Sequence, residues 1–169
     1  PVHDKPESQD VCFIPVEGQA AFLRGRGAAI EPGEIVNRDG QVIGRHRGIG
    51  CYTIGQRSGL GISSPRPLYV TAIDPLHNRL VAGEKGELLS DWLAADQVNC
   101  LVEAFPEEAW AKIRYAHRAA RCHTAYDGGR LEVRFAAPQE AVTPGQSVVL
   151  YDGPTVLGGG IIQEVKRGA

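Results

Sequence analysis

In the second half of the chain, apolar and polar residues alternate with a period of two. Leu131, Val133 and Phe135 are separated by Arg130, Glu132 and Arg134, the pattern of a strand with one face in a core and the other in water. Val98, Cys100 and Val102 alternate in the same way, which predicts that the Cys100 thiol points inward with the two valines. Residues 68–73 and 79–82 are apolar runs bracketing Asp74-Pro75-Leu76-His77-Asn78, a hairpin signal. Residues 111–117 and 121–126 read as strands, with Asp127-Gly128 turning the chain into the next one. Residues 147–151 and 155–165 close the chain around Asp152-Gly153-Pro154. About seven short strands at this spacing predict a closed antiparallel β-barrel.

The first third is patterned differently. Residues 34–36 and 41–43 flank Asn37-Arg38-Asp39-Gly40 and form one hairpin. Five glycines between positions 48 and 61 predict an irregular loop. Residues 19–24 suit one or two helical turns between Gly18 and Gly25, and residues 88–94 a further turn with Trp92 and Leu93 packed inward. Ser63-Ser64-Pro65-Arg66-Pro67 reads as a linker. The expected fold is therefore mainly β: a linker and small glycine-rich domain over residues 1–66, then an antiparallel β-barrel over residues 67–169.

Composition narrows the functional classes. The 21 glycines and 11 prolines fit a turn-rich β protein. No apolar run approaches membrane-spanning length, and no signal peptide opens the sequence, so no membrane partner and a cytoplasmic location are expected. The net charge of −2 gives no global nucleic-acid signal, but charge is segregated. Residues 42–66 hold four arginines and no acid, residues 111–134 six basic residues against Asp127 and Glu132, and residues 74–108 eight acids against Arg79 and Lys85. Such segregation orients a polyanion; it is also what ordinary solvated strand faces produce. Cys12, Cys51, Cys100 and Cys122 are widely spaced without a Cys-x-x-Cys pair, so neither a structural zinc site nor a disulfide framework is expected.

Cys12 is the residue with most chemical scope. An isolated cysteine is more often a small core hydrophobe than a nucleophile. The segment around it, Lys5-Pro6-Glu7-Ser8-Gln9-Asp10-Val11-Cys12-Phe13-Ile14, resembles the sulfur-handling motif of the bacterial tRNA-specific 2-thiouridylases, which place sulfur on the wobble uridine of tRNA. The resemblance continues through residues 40–48 (GQVIGRHRG), 52–60 (YTIGQRSGL), 112–115 (KIRY), 141–146 (AVTPGQ) and 157–162 (LGGGII), so it spans nearly the whole chain. The family's N-terminal nucleotide-binding domain, with its Ser-Gly-Gly-x-Asp-Ser loop and a second catalytic cysteine, has no counterpart in this sequence. The opening Pro1-Val2-His3-Asp4-Lys5 resembles the linker out of that domain. The resemblance thus implies the central and C-terminal portion of a longer enzyme, inactive alone.

The same resemblance implies further roles. Cys12 would be a catalytic persulfide carrier, loaded by a sulfur-relay donor protein. ATP with Mg would act in the missing N-terminal domain, and a transient disulfide with that domain's cysteine would close the cycle. Arg114, Tyr115 and Gln146 match tRNA-contact positions: guanidinium for phosphate, ring for a splayed base or sugar, amide on a Pro-Gly turn. Gln56 and Arg57, in Tyr52-Thr53-Ile54-Gly55-Gln56-Arg57, serve either as a tRNA or interdomain contact or as an internal pin for the glycine-rich loop. His46 has no catalytic assignment and is expected to be structural or RNA-facing. Gly158-Gly159-Gly160 is expected to serve close packing in the barrel, because neither Lys-Ser/Thr nor a helix comes after it. No S-adenosylmethionine-binding glycine motif is present. The competing reading is a non-catalytic β-barrel RNA-binding module with an inert Cys12; a metal or redox protein is disfavoured by the cysteine spacing.

Overall fold

The computed structural model describes Phe22, Gly25, Arg26 and residues 30–116 and 118–167. Cys12 and most of the helical stretch expected at residues 19–24 lie outside these. Ten strands dominate the described residues, in two sheets. The first is a four-stranded mixed sheet formed by β1 (Gly33–Val36), β2 (Val42–His46), β3 (Tyr69–Asp74) and β4 (Arg79–Gly83), ordered β2-β1-β4-β3. β1–β2 and β3–β4 are the two predicted hairpins, and β1 joins β4 in parallel with Ile35 opposite Leu80. The linker-like residues 63–67 therefore cross within one sheet. The sheet contains strands from both sides of residue 66, where the sequence pattern marked a boundary.

The glycine-rich loop closes this sheet. Tyr52 and Leu60 come from it to pack with Ile35, Val70, Leu80 and Ala82. His46, at the end of β2, is only 2% exposed. Its Nε2 lies 3.0 Å from the Asn78 carbonyl, and its Nδ1 accepts from the Gly48 N–H at 3.0 Å. Those two bonds fix one neutral tautomer, with the proton on Nε2, and tie β2 to the β3–β4 turn. Edge-on packing against the Tyr52 ring, 5.9 Å between centroids, completes the environment. His46 is thus a structural histidine with both ring nitrogens engaged.

The second unit is a closed six-stranded antiparallel barrel, in agreement with the sequence pattern. It comprises β5 (Leu89–Cys100), β6 (Glu108–Lys112), β7 (Ala120–Tyr126), β8 (Leu131–Glu140), β9 (Ser147–Asp152) and β10 (Thr155–Lys166). Their order is β10-β5-β8-β7-β6-β9, with β9 pairing back to β10. The interior is filled by Leu93, Ala95, Ala111, Leu131, Val133, Leu150 and Ile162, all without solvent exposure. Gly158, Gly159 and Gly160 lie in β10 between β5 and β9. A Cβ at Gly159 would collide with the Val148 carbonyl and one at Gly158 with the Asn99 carbonyl, so the run serves backbone packing.

Two local expectations are corrected. Residues 89–94 are strand, not helix; the only helical turn there is the short 3-10 segment Lys85–Leu88. Leu93 points into the barrel, whereas Trp92, its neighbour on a pleated strand, faces out and is covered by Lys166 at 4.4 Å from its ring. By contrast, the alternation expected over Val98, Cys100 and Val102 is present: all three are half-buried between the exposed Asn99 and Leu101, Gln97 at φ 52 lies ahead of them, and the Cys100 thiol meets the Val102 carbonyl at 3.1 Å. Finally, the strand expected over residues 111–117 ends at Lys112, so Arg114 and Tyr115 lie in a turn.

Candidate nucleic-acid interface

Three segments, the second and third contiguous in the chain, meet at the rim of the barrel. The first leaves β6: Ile113 is buried as an anchor, and Arg114 and Tyr115 come next, pointing the chain outward. The second is the loop after β8. Ala141 holds φ 51 and donates its N–H to the Leu88 carbonyl at 3.0 Å, and Val142 is fully buried. The Thr143-Pro144-Gly145-Gln146 turn then closes with the Gln146 N–H on the Thr143 carbonyl at 3.3 Å. Proline at the second position and φ 85 at Gly145 in the third are what this turn requires. Backbone bonds between Gln146 and Ile162 and between Gly145 and Ile162, each 2.8 Å, fasten it to β10 and leave the Gln146 side chain at the surface. The third segment is β9, contributing Ser147, Val149 and Tyr151.

Together they line a groove of about 450 Å³ containing Lys112, Arg114, Tyr115, Gln146, Val149 and Tyr151. Arg114, Tyr115 and Gln146, read separately from the sequence, thus share one site. Tyr115 is 74% exposed, not a core residue, and the Lys112 ammonium sits 5.5 Å from its ring centroid. One nitrogen of the Arg114 guanidinium donates to the Glu140 carbonyl at 3.0 Å, which orients the group and leaves its other donors outward. Glu140's carboxylate is engaged elsewhere, by Lys85 at 2.9 Å, and that pairing raises the Lys85 pKa through the hydrogen bond and the charge.

The cations of residues 111–134 divide by partner. Arg121 pairs with Glu108 at 2.6 Å and Arg130 with Glu164 at 2.9 Å; in each case the hydrogen-bonded arginine lowers the carboxylate pKa. Lys112, Arg114, Arg118 and Arg134 have no carboxylate partner among the described residues, and of these Arg134 lies on β8 outside the groove. Free cations beside exposed aromatic rings suit phosphate and bases. No three His, Cys, Asp or Glu side chains gather into a metal-binding cluster among the described residues.

Gln56 and Arg57 lie apart from this groove. The Gln56 carboxamide accepts from the Thr53 N–H at 3.1 Å and donates to the Ser58 carbonyl at 2.9 Å, while its backbone bonds Val70. Its polar atoms thus work inside its own loop. Arg57 is exposed beside a separate recess shared with Leu60, Ile62 and Arg66. Gly55 connects this loop to the rim, because a Cβ there would press on Ala141 at 3.1 Å. The sequence pattern did not single out Trp110 or Tyr151; the clue was Trp110 between two inward alanines, Ala109 and Ala111.

Two family models match these two units. The tRNA methyl transferase PRC-barrel domain covers residues 20–84, and the aminomethyltransferase β-barrel domain covers residues 90–162. The chain is therefore similar to proteins built from these two β-barrel domains. Relatives narrow the class. The chain is 48% identical over 164 residues to the tRNA-specific 2-thiouridylase MnmA 1 of Syntrophus aciditrophicus, covering 97% of this chain and 44% of that protein. It is 47% identical to the tRNA-specific 2-thiouridylase MnmA of Geobacter metallireducens over 95% of this chain and 45% of that one. For the MnmA protein of Chlorobaculum tepidum the values are 46%, 96% and 46%. The chain belongs to the tRNA-specific 2-thiouridylase family, matching its C-terminal part, and spans a little under half the length of these relatives.

Proposed function

We propose that this chain is the tRNA-holding and sulfur-carrying portion of an enzyme that converts the C2 oxygen of a wobble uridine in tRNA to sulfur. The observation that carries the reading is the convergence of Arg114, Tyr115 and Gln146, from two separate loops, in one groove lined by no carboxylate. Arg114 and Lys112 would neutralise backbone phosphates, Tyr115 would stack on a base or pack on a sugar, and Gln146 would fix register. Gln56 holds the glycine-rich loop in shape, and Arg57 offers a further contact to tRNA or to the adjoining domain.

Activation of the uridine by ATP with Mg would occur in a part of the protein outside this chain. The chain's own glycine run lies inside a strand and opens no helix, so it does not fit a phosphate loop. Cys12, loaded by a sulfur-relay donor as a persulfide, would attack the activated C2 and displace the adenylate. A second cysteine would then attack the Cys12 sulfur, leaving the terminal sulfur on uridine and a Cys–Cys disulfide. A thiol reductant would restore both cysteines. The setting is the reducing cytoplasm; among the described residues no helix is long and apolar enough to cross a membrane.

The test is Cys12→Ser in the intact protein, with 2-thiouridine in tRNA measured by nucleoside mass spectrometry and tRNA affinity measured alongside. Thiolation is expected to vanish while affinity stays within about 2-fold, since one neutral side chain contributes little to a charge-dominated interface. Normal thiolation would overturn the sulfur-carrier role and leave the alternative, an RNA-binding module with an inert Cys12.

A further inference from the structure

The groove does not end at Lys112 and Tyr151. Both residues also line a second hollow of about 610 Å³, whose other walls are Trp110, Arg118, Ala119 and Gly153. The pairing of β9, β6 and β7 sets Tyr151, Trp110 and Arg121 directly opposite one another, so their side chains form one row across three strands. Ala109 and Ala111 face the core, which obliges Trp110 and Lys112 to face out. Trp110 is 48% exposed. Its neighbours Lys112 and Arg118 lack a carboxylate partner among the described residues, and neither hollow has an acidic residue in its lining.

A large indole held half in water on a rigid strand, flanked by unneutralised cations and continuous with the Arg114–Tyr115–Gln146 groove, has the makeup of a stacking platform for single-stranded nucleic acid. A fully paired duplex offers no free base face to such a ring, whereas an unpaired nucleotide does. We propose that Trp110, with Tyr151, Lys112 and Arg118, receives an unpaired nucleotide of the RNA whose adjoining segment lies in the Arg114–Tyr115–Gln146 groove. The indole takes the base face, and the ammonium and guanidinium take the flanking phosphates. This inference rests on the groove being an RNA site and extends its footprint to a loop or an unpaired end of that RNA.

Of the two tryptophans in this sequence, Trp92 is 5% exposed and Trp110 48%, so the Trp110 share of the quenching is read as the part lost in Trp110→Phe. The experiment titrates the intact protein, and its Trp110→Ala, Trp110→Phe and Arg114→Ala variants, with an RNA stem-loop and with a blunt RNA duplex of equal length. Tryptophan quenching and affinity are both recorded. The stem-loop is expected to quench wild-type emission more than the duplex does. Trp110→Ala should weaken stem-loop binding about 5-fold or more, leave duplex binding unchanged, and be rescued to within about 2-fold by Trp110→Phe, which keeps a ring to stack on.

Wild-type stem-loop affinity for Trp110→Ala, alongside a loss in Arg114→Ala, would overturn this inference and leave the groove reading standing. Wild-type affinity for both variants would remove the groove reading and this one together. Equal weakening for stem-loop and duplex would refute base stacking. A self-association that Trp110→Ala abolishes with RNA binding intact would assign the row, which Val156 on β10 continues opposite Tyr151, to a protein contact instead.

Discussion

Arg114→Ala is the perturbation that bears most directly on the proposed tRNA groove. Arg114 is exposed, and its side chain is held by a bond from Nη2 to the Glu140 carbonyl at 3.0 Å. Losing that bond at the surface should cost folding about 0.5–1 kcal/mol, a melting shift of roughly 1–4 °C for a chain of this size. The fold should survive. In the complex the same guanidinium would make a charged hydrogen bond to phosphate. Its loss should cost about 1–2 kcal/mol, or roughly 5- to 30-fold in affinity. It should also lower the slope of log K against log salt by about 0.7–0.9, one phosphate contact. Filter binding of cognate tRNA to the intact protein across a salt series measures both quantities, with circular dichroism as the folding control. Tyr115→Ala should separate the two readouts, because a lost stack lowers affinity by a comparable amount and leaves the slope alone. Gln146→Ala should change neither by much. Unchanged affinity together with an unchanged slope for Arg114→Ala, in a folded protein, would refute the assignment and return Arg114 to the role of a strap across Glu140.

Two further outcomes test the fold's internal logic. His46→Ala leaves the Gly48 N–H and the Asn78 carbonyl without their buried partner, so urea unfolding should show a loss of about 2–4 kcal/mol; a loss under about 0.5 kcal/mol would mean that His46 does not pin the sheet. Burial pushes the Cys122 thiol from 9.0 up to about 11, against a smaller lowering by hydrogen bonding to the Ala109 backbone. Between those pH values the unfolded chain gives up this proton and the folded one keeps it, so stability falls as pH rises through that window. Cys122→Ala should remove up to about 2–3 kcal/mol of that fall, and an identical pH profile for the variant would contradict the argument.

The barrel strands were legible in the sequence because each buries one face, and a half-buried strand must alternate. Leu131-Glu132-Val133-Arg134-Phe135 is read correctly for that reason. Leu89–Cys100 was harder. Ser90 and residues 92–95 are buried on both faces, since Trp92 is covered from outside the barrel, and a doubly buried strand loses its alternation and reads as a helical turn. Past Gln97 at φ 52 the alternation returns, and Val98, Cys100 and Val102 are half-buried between the exposed Asn99 and Leu101, as their spacing predicts.

What the sequence by itself determined is what is local or periodic: the hairpin turns, the mainly β class, the barrel, the glycine run that only backbone contact explains, and the motifs that mark the family. The tertiary structure decided what depends on residues distant in the chain. It paired β1 with β4 in parallel across the linker-like residues 63–67, because the apolar faces of two hairpins are buried only when Ile35 and Leu80 share one core. It also separated the free cations Lys112, Arg114 and Arg118 from the neutralised Arg121 and Arg130, and joined the former to Tyr115, Gln146 and Trp110 in one surface. A charge's availability depends on whether a carboxylate lies within reach in space, and spacing along the chain does not contain that distance.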